Sequence, residues 1–169
     1  VDVVFNEDRT DGNCPGNYTL TRSWTATDTS GNTAVGSQVI TVQDTTAPAL
    51  AGTPADITVE CDSVPAAANV TADDNCSTPS LTYSEDRVDG NCPSNYTLTR
   101  TWVATDDCGN SISWVQTITV QDTTAPVFAG TPADITVECD SVPGAADVTA
   151  SDNCSTPSLT YSEDRVDGN

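Results

Sequence analysis

Cysteine is the residue type in this sequence whose chemistry is easiest to interpret. The seven cysteines are Cys14, Cys61, Cys76, Cys92, Cys108, Cys139 and Cys154. From Cys61 to Cys108 neighbouring cysteines are 15 or 16 positions apart, and the sequence has no histidine. Zinc sites instead use closely spaced Cys-x-x-Cys or Cys/His pairs. The spacing therefore favours disulfides over a zinc site, and disulfides indicate an oxidising compartment outside the cytoplasm.

Acidic side chains cluster beside two of these cysteines. Asp73 and Asp74 precede Cys76, and Asp106 and Asp107 precede Cys108. Carboxylate oxygens are the hard ligands that Ca²⁺ prefers. The sequence therefore predicts a structural Ca²⁺ site and no other cofactor, with ligands drawn from Asp44, Asp73, Asp74, Asp106, Asp107 and Asp122. The EF-hand pattern is absent, and the alternative interpretation is a solvated acidic surface.

The same composition gives catalysis little support. The sequence has 25 acidic residues, five arginines, no histidine and a net charge of −20. Adjacent carboxylates such as Glu85 and Asp86 would point to opposite faces of a strand, so we interpret them as surface charge and not as a glycosidase pair. We expect no enzymatic activity and no nucleic-acid partner. We also expect no binding to anionic membranes through a basic patch, and no direct membrane insertion by this segment.

A block of 78 residues repeats along the chain. Residues 51–91 recur at 129–169 with three changes, in which Ala66 becomes Gly144, Asn69 becomes Asp147 and Asp73 becomes Ser151. A fixed period indicates a tandem array, in which function usually comes from length and repetition.

The repeat boundaries are predicted at two identical segments, 42–48 and 120–126, each of which contains a proline that limits flexing. They give a partial repeat at 1–43, a complete repeat at 44–121 and a partial repeat at 122–169. We expect the sequence to be a window on a longer array.

The complete repeat shows the alternating pattern of short β-strands. Apolar and polar residues alternate at 57–59, 81–83, 96–102 and 118–120, with many threonine and β-branched side chains. The pattern predicts an all-β fold of tandem immunoglobulin-like β-sandwich repeats. Trp24 and Trp102 share one repeat position and are predicted core residues, whereas Trp114 aligns with Gly36 and is predicted to be exposed.

Several motifs in register resemble a known family. VQDTTAP, DITVEC and ATDDCGN resemble hyalin-repeat (HYR-like) modules, which are immunoglobulin-like. CDSVP, ADDNCS and DGNCPSNYTLTRTW are similar to the repeats of giant surface adhesins of gliding Bacteroidetes, which the type nine secretion system exports. The resemblance implies an elongated fibre located outside the cell, at its surface.

The four cysteines of one repeat allow three pairings. In an immunoglobulin-like topology, Cys61 ends the first strand and Cys92 precedes the long strand, which places both at one end of the repeat. Cys76 and Cys108 would lie in loops at the other end. We therefore predict the disulfides Cys61–Cys92 and Cys76–Cys108.

The same pairing makes a prediction for the partial repeats. Cys139 and Cys154 would bond to residues after position 169, and Cys14 to a residue before position 1. Ser30 stands at the repeat position of Cys108, so the upstream repeat would lack one bond or keep a free thiol.

Short Asp-Ser/Thr tripeptides resemble the O-glycosylation acceptors of Bacteroidetes. The predicted glycan sites are Thr45, Thr123, Ser63 and Ser141.

Taken together, the repeat and the resemblance predict the shaft of a giant adhesin filament that serves gliding motility or surface attachment. The expected partners are neighbouring repeats of the same chain, with surface polysaccharide or substratum bound through other regions. The alternative is that the repeats are spacer or carbohydrate-binding modules of a secreted polysaccharide-degrading enzyme.

Overall fold

The computed structural model describes residues 1–166. Every regular element in this range is a β-strand, which confirms the predicted all-β class. Within the same range, no helix has the length and apolar character needed to cross a membrane. The strands are β1 (Asp2–Asp11), β2 (Tyr18–Thr27), β3 (Thr33–Val42), β4 (Ala49–Ala51), β5 (Ile57–Glu60), β6 (Thr71–Asp73), β7 (Ser80–Asp89), β8 (Tyr96–Thr105), β9 (Ser111–Gln121), β10 (Val127–Ala129) and β11 (Thr149–Ser151).

The strands pair into small sheets. β1, β2 and β3 form an antiparallel three-stranded sheet. A four-stranded sheet has the order β5-β9-β8-β7, in which β5 runs parallel to β9. β4 pairs with β6, and β10 pairs with β11 at the same positions one repeat later. The strands predicted at 57–59, 81–83, 96–102 and 118–120 are therefore all present.

Alternation along β8 shows why this segment becomes a strand. Leu98, Arg100, Trp102 and Ala104 are buried, and the residues between them are only partly covered. This period of two matches the alternation of side chains across a sheet. A charged residue, Arg100, lies on the buried face, which the apolar pattern did not predict.

The chain forms two compact units, each of which combines parts of consecutive repeats. The first unit contains residues 1–55, 67–86 and 99–116. The second contains residues 56–66, 87–98 and the chain from Thr117 onwards. The predicted repeat boundaries remain a prediction about the sequence, and residues 167–169 of the third repeat lie outside the described range.

In the first unit, Trp102 is 3% exposed, and its ring centroid lies 5.3 Å from that of Tyr83. Trp24 holds the same repeat position and contacts Phe5, but it is 38% exposed, so its predicted core position is wrong. Residues at one repeat position can therefore differ in burial between copies. Trp114 is 41% exposed, as predicted.

In the second unit, a small apolar core forms between neighbouring strands. Leu98, Ile118 and Val120 are buried, and Ile57 and Val59 pack against them. Because β5 pairs in register with β9, Ile57 lies opposite Ile118 and Val59 lies opposite Val120.

Candidate functional site

Most of the cysteines and the buried carboxylates gather at two places, which we call the first and second junctions. The first junction comprises residues 14–17, 44–46, 74–77 and 106–110, all in the first unit. The second junction comprises residues 60–61, 92–95, 122–123 and 152–155, all in the second unit. Each junction brings residues of one repeat together with residues of the next.

A disulfide closes the first junction. Cys14 lies in the turn between β1 and β2, and Cys108 lies in the turn between β8 and β9. The bond joins residues 94 positions apart, with a Cα–Cα distance of 5.1 Å. Because Cys14 belongs to the first repeat and Cys108 to the second, the bond links consecutive repeats.

Asp44 connects both sides of the first junction through its backbone. Its N–H donates to Asn17 Oδ1 at 2.7 Å, and its carbonyl oxygen accepts from Asn110 Nδ2 at 3.2 Å. Its carboxylate accepts from the Thr46 N–H at 3.2 Å. The linker residue therefore holds the turn of one repeat against the loop of the next.

Gly16 permits this close approach. A Cβ at position 16 would lie 2.9 Å from Asp44 Cβ and 3.2 Å from Cys108 Sγ. The first distance is shorter than a carbon–carbon contact allows. A side chain at this position would therefore displace the linker or the disulfide.

The second junction has the same linker hydrogen bond as the first but a different disulfide. Cys61 bonds to Cys154, 93 positions away, with a Cα–Cα distance of 5.8 Å. The Asp122 N–H donates to Asn95 Oδ1 at 2.8 Å, just as the N–H of Asp44 donates to Asn17. This bond also links consecutive repeats, because Cys61 belongs to the second and Cys154 to the third.

Glu60 and Ser94 add further contacts across the second junction. The Thr123 N–H donates to Glu60 at 3.1 Å, and the Thr123 hydroxyl donates to the same carboxylate. Ser94, which stands at the repeat position of Gly16, donates through its hydroxyl to the Cys154 carbonyl oxygen at 2.9 Å.

These bonds correct the predicted disulfides. Neither Cys61–Cys92 nor Cys76–Cys108 is formed, because Cys61 and Cys108 bond to other partners. Each predicted pair joined two cysteines at the same end of one repeat. In the structure, Cys61 and Cys108 each bond instead to a cysteine of an adjacent repeat.

The predictions for the partial repeats change accordingly. Cys14 and Cys154 bond within the sequence, and not to residues beyond its two ends. Cys76, Cys92 and Cys139 are free and exposed.

Four buried carboxylate oxygens at the junctions have no hydrogen-bond partner within residues 1–166: Asp44 Oδ2, Asp74 Oδ1, Asp122 Oδ1 and Asp152 Oδ2. They represent only two repeat positions, since Asp122 and Asp152 lie one 78-residue repeat after Asp44 and Asp74. Asp44 is only 5% exposed. Oxygen atoms of Asp44 and Asp74 lie within 4.8 Å of each other and of Cys76 Sγ, and those of Glu60 and Asp122 lie equally near Cys154 Sγ.

The other predicted calcium ligands are arranged differently. Asp73 and Asp107 are exposed. Asp106 is buried, but its carboxylate accepts from the backbone N–H groups of Cys108 and Asn110 at 2.8 Å and from Asn110 Nδ2 at 2.7 Å. Asp106 therefore shapes its own loop and positions Cys108.

The electrostatics of the junctions are strongly negative. Burial raises the pKa of the Cys76 thiol, and the charges of Asp44, Asp74 and Asp106 raise it further. Burial also raises the pKa of Asp106, but hydrogen bonds from its loop outweigh this effect and leave the pKa below its usual value. The Cys154 backbone N–H is the main group that lowers the pKa of Asp152.

The four residues predicted to carry glycans are all exposed: Thr45, Thr123, Ser63 and Ser141. The hydroxyls of Ser63 and Ser141 donate to the preceding aspartates at 3.0 and 3.1 Å. Glycosylation of these residues remains a prediction.

Sequence reasoning missed Asp152, Glu60 and Gly16. A signal for Asp152 was present, because Asp74 is retained as Asp152 in the next copy whereas Asp73 changes to Ser151. Glu60 and Gly16 gave no such signal, since their roles depend on contacts between segments far apart in the chain.

One comparison with known proteins gives a match. Residues 49–120 match the family model described as an HYR-like domain with 4 cysteines, and this part of the chain is such a domain. Its four cysteines are Cys61, Cys76, Cys92 and Cys108. No curated protein and no solved structure matches the chain. The domain and the disulfides indicate an extracellular protein.

Proposed function

We propose that this chain is a segment of the shaft of a giant cell-surface adhesin filament. In this proposal the shaft consists of tandem 78-residue repeats with immunoglobulin-like β-sandwich folds. It is exported by the type nine secretion system and serves gliding motility or surface attachment. Its immediate partners are neighbouring repeats, and regions outside this segment contact polysaccharide or substratum.

The observation that carries the proposal is that both disulfides join consecutive repeats. A bond inside one repeat would stabilise that repeat alone, whereas Cys14–Cys108 and Cys61–Cys154 also resist separation of neighbours. Such cross-links suit a fibre that transmits tension, because a covalent bond holds under forces that would separate a small packed interface.

The rest of the chain supports a mechanical role over a catalytic one. A surface with a net charge of −20 repels other copies, which favours extended filaments over aggregates. The chemically distinctive groups gather at the junctions, where they connect repeats. We therefore propose that the segment has no enzymatic activity.

The proposal is tested on the intact native protein by denaturing gel electrophoresis and negative-stain imaging of the cell surface. A chain of thousands of residues, visible as a long thin filament, is the expected result. A modest secreted chain with a compact globular head would contradict the shaft and favour spacer modules of a polysaccharide-degrading enzyme.

We also propose that Thr45, Thr123, Ser63 and Ser141 carry O-linked glycans. All four are exposed on the chain. Intact-mass analysis of tryptic peptides from the native protein should show hexose-containing adducts on these residues. Unmodified peptides throughout would contradict the assignment without affecting the shaft.

A further inference from the structure

We infer that one pairing rule for cysteines joins consecutive repeats through two disulfides wherever all four cysteine positions are occupied. The inference rests on the proposed tandem array. We name the four cysteine positions after the complete repeat: position 61, position 76, position 92 and position 108.

The two disulfides define the two halves of the rule. Cys14 occupies position 92 of the first repeat and bonds to Cys108 at position 108 of the second. Cys61 occupies position 61 of the second repeat and bonds to Cys154 at position 76 of the third. Each bond therefore connects one repeat to the next, and the two bonds use all four positions.

The rule assigns partners to both free cysteines of the complete repeat. Cys76 bonds to position 61 of the preceding repeat, and Cys92 bonds to position 108 of the following repeat. Both are exposed thiols, and their equivalents Cys154 and Cys14 are already bonded in the other copies. Position 108 of the first repeat is Ser30, which has no sulfur, so the rule predicts no disulfide at that position.

Each bond forms by thiol–disulfide exchange with an oxidised dithiol protein. The first cysteine thiolate attacks the donor disulfide and forms a mixed disulfide, and the second cysteine displaces the donor. The two cysteines lose two protons and two electrons in total, and the donor leaves as a dithiol.

The rule produces two continuous covalent paths along the array. One path crosses each repeat through residues 92–108, which are 16 positions apart, and the other through residues 61–76, which are 15 apart. A stretch of 16 residues spans at most about 55 Å when extended, whereas 78 residues span about 270 Å. Tension on an oxidised array can therefore lengthen each repeat only to about a fifth of its unfolded length.

The test is a disulfide map of the native full-length protein. Free thiols are alkylated, the protein is digested without reduction at arginine and then at aspartate, and cross-linked peptides are sequenced by mass spectrometry. Cleavage at aspartate separates position 108 from position 61 of the next repeat, because Asp122 and Asp134 lie between them.

The expected result is that peptides with position 92 are linked to position 108, and peptides with position 61 to position 76. Alkylated position 92 peptides from repeats that are followed by a cysteine at position 108, or links from position 92 to position 61, would overturn the rule. The map does not depend on filament length, so a short native protein with these links would refute the shaft and leave the rule standing.

A second and independent inference concerns the orphaned carboxylate oxygens. We propose that each junction binds one Ca²⁺ ion through the aspartates at the positions of Asp44 and Asp74. In the second junction the ligands are Asp122 and Glu60, whose oxygens lie within 4.8 Å of each other, and Asp152, which carries the second orphaned oxygen.

Burial and distance support this site. A buried carboxylate oxygen without a partner is costly unless a cation or a hydrogen bond compensates it. Asp44 is 5% exposed, its Oδ2 has no hydrogen-bond partner, and its carboxylate lies within 4.8 Å of the ligand atoms of Asp74 and Cys76. Two oxygens that share a Ca²⁺ ion are at most about 5 Å apart, and the ligand atoms of Asp44 and Asp74 lie within 4.8 Å of each other.

The recurrence of the pattern separates these residues from ordinary acidic surface. All four orphaned oxygens fall on two repeat positions. Asp73 and Asp107 are exposed, and Asp106 is occupied by its own loop. The predicted ligand set therefore narrows to Asp44, Asp74 and Asp122, and in the second junction it gains Asp152 and Glu60.

The test is a calcium titration of the complete 169-residue chain. Calorimetry measures the binding, and thermal melts with Ca²⁺ or with chelator measure the melting temperature. The chain should bind two Ca²⁺ ions and melt higher with Ca²⁺ than with chelator. The double variant Asp44→Asn/Asp122→Asn should weaken binding at least about tenfold. The matched control Asp73→Asn/Asp107→Asn removes the same charge nearby and should bind normally.

Equal loss of binding in both variants would overturn the site and indicate diffuse attraction by the acidic surface. An absence of binding by the unmodified chain would overturn it as well. A non-reducing peptide map of each variant, with Cys14 still linked to Cys108, establishes that the first junction has folded. Mg²⁺ serves as a second probe and should bind more weakly, because it requires a tighter octahedral shell.

Discussion

Arg100 shows how the same residue can differ between copies of one repeat. The Arg100 side chain is 6% exposed and donates to Glu85 at 2.6 Å. Arg22, one repeat earlier, donates to Glu7 at 2.7 Å. In this pair both side chains are about one third exposed, with Arg22 at 35% and Glu7 at 36%. The two pairs therefore form a matched comparison of a buried and a solvated ion pair.

The substitution Glu85→Gln should destabilise the chain more than Glu7→Gln. Removing the charge opposite the buried Arg100 guanidinium should lower the free energy of unfolding by about 1–2 kcal/mol. This loss is smaller than for a fully buried ion pair, because Glu85 is itself partly exposed. The exposed pair should contribute about 0–1 kcal/mol. Denaturant melts of the two variants measure the difference, and equal effects would contradict the assigned environments.

The Glu85 pair also predicts a pH dependence. The hydrogen bond from Arg100 is the main cause that holds the pKa of Glu85 below its usual range. A carboxyl whose pKa is lower in the folded state stabilises the fold fully at pH values above its unfolded pKa, which is about 4.3 for glutamate. This stabilisation is lost as the pH falls through the lower pKa of the folded state. The stability difference between the unmodified chain and Glu85→Gln should therefore shrink below about pH 4. A difference that stays constant from pH 7 to pH 3 would contradict this role.

At the scale of elements, identical sequence does not guarantee identical structure. Residues 57–60 and 135–138 both read Ile-Thr-Val-Glu, yet only the first forms a strand. β5 pairs with β9, and Ile57 packs on the apolar core. Residues 135–138 pair with no strand in the described part of the chain, and Ile135 is 66% exposed. A local pattern therefore predicts which segments can be strands, and the partner decides whether they become strands.

The same dependence explains which predictions succeeded. The alternation of apolar and polar residues predicted β5, β7, β8 and β9, because the buried and the exposed face of a half-buried strand take turns along the sequence. The short strands β4 and β6 have three residues each and show no such period. The disulfide partners were mispredicted because spacing within one repeat carries no information about which repeat faces a given cysteine.

The strands β2 and β8 provide a test of this dependence. Trp102→Ala in β8 should cost about 3–5 kcal/mol, the range for a large buried aromatic residue, because Trp102 is 3% exposed. Trp24→Ala in β2 should cost markedly less, because Trp24 is 38% exposed. Thermal melts followed by near-ultraviolet circular dichroism compare the variants, and a larger loss for Trp24→Ala would contradict the structure.

At the scale of the whole molecule, the two disulfides are expected to make a large contribution to the stability. Each closes a loop of more than 90 residues, and loss of a native disulfide from a small extracellular domain typically costs 2–5 kcal/mol. The double substitution Cys14→Ser/Cys108→Ser should lower the free energy of unfolding by about that amount. Cys139→Ser changes a free, exposed cysteine and should leave the denaturation midpoint nearly unchanged. Similar midpoints for both variants would argue against the Cys14–Cys108 bond.

The account as a whole depends on covalent links between consecutive repeats, and a tryptic map of the unreduced 169-residue chain tests them directly. Cleavage after its five arginines isolates Cys14 in peptide 10–22, Cys92 in peptide 88–100, and Cys108 together with Cys139 and Cys154 in peptide 101–165. We predict that peptide 10–22 is recovered linked to peptide 101–165, and that peptide 88–100 is recovered with an alkylated cysteine. Recovery of peptide 88–100 linked to peptide 23–87, with peptide 10–22 alkylated, would place the disulfides inside single repeats and contradict the account.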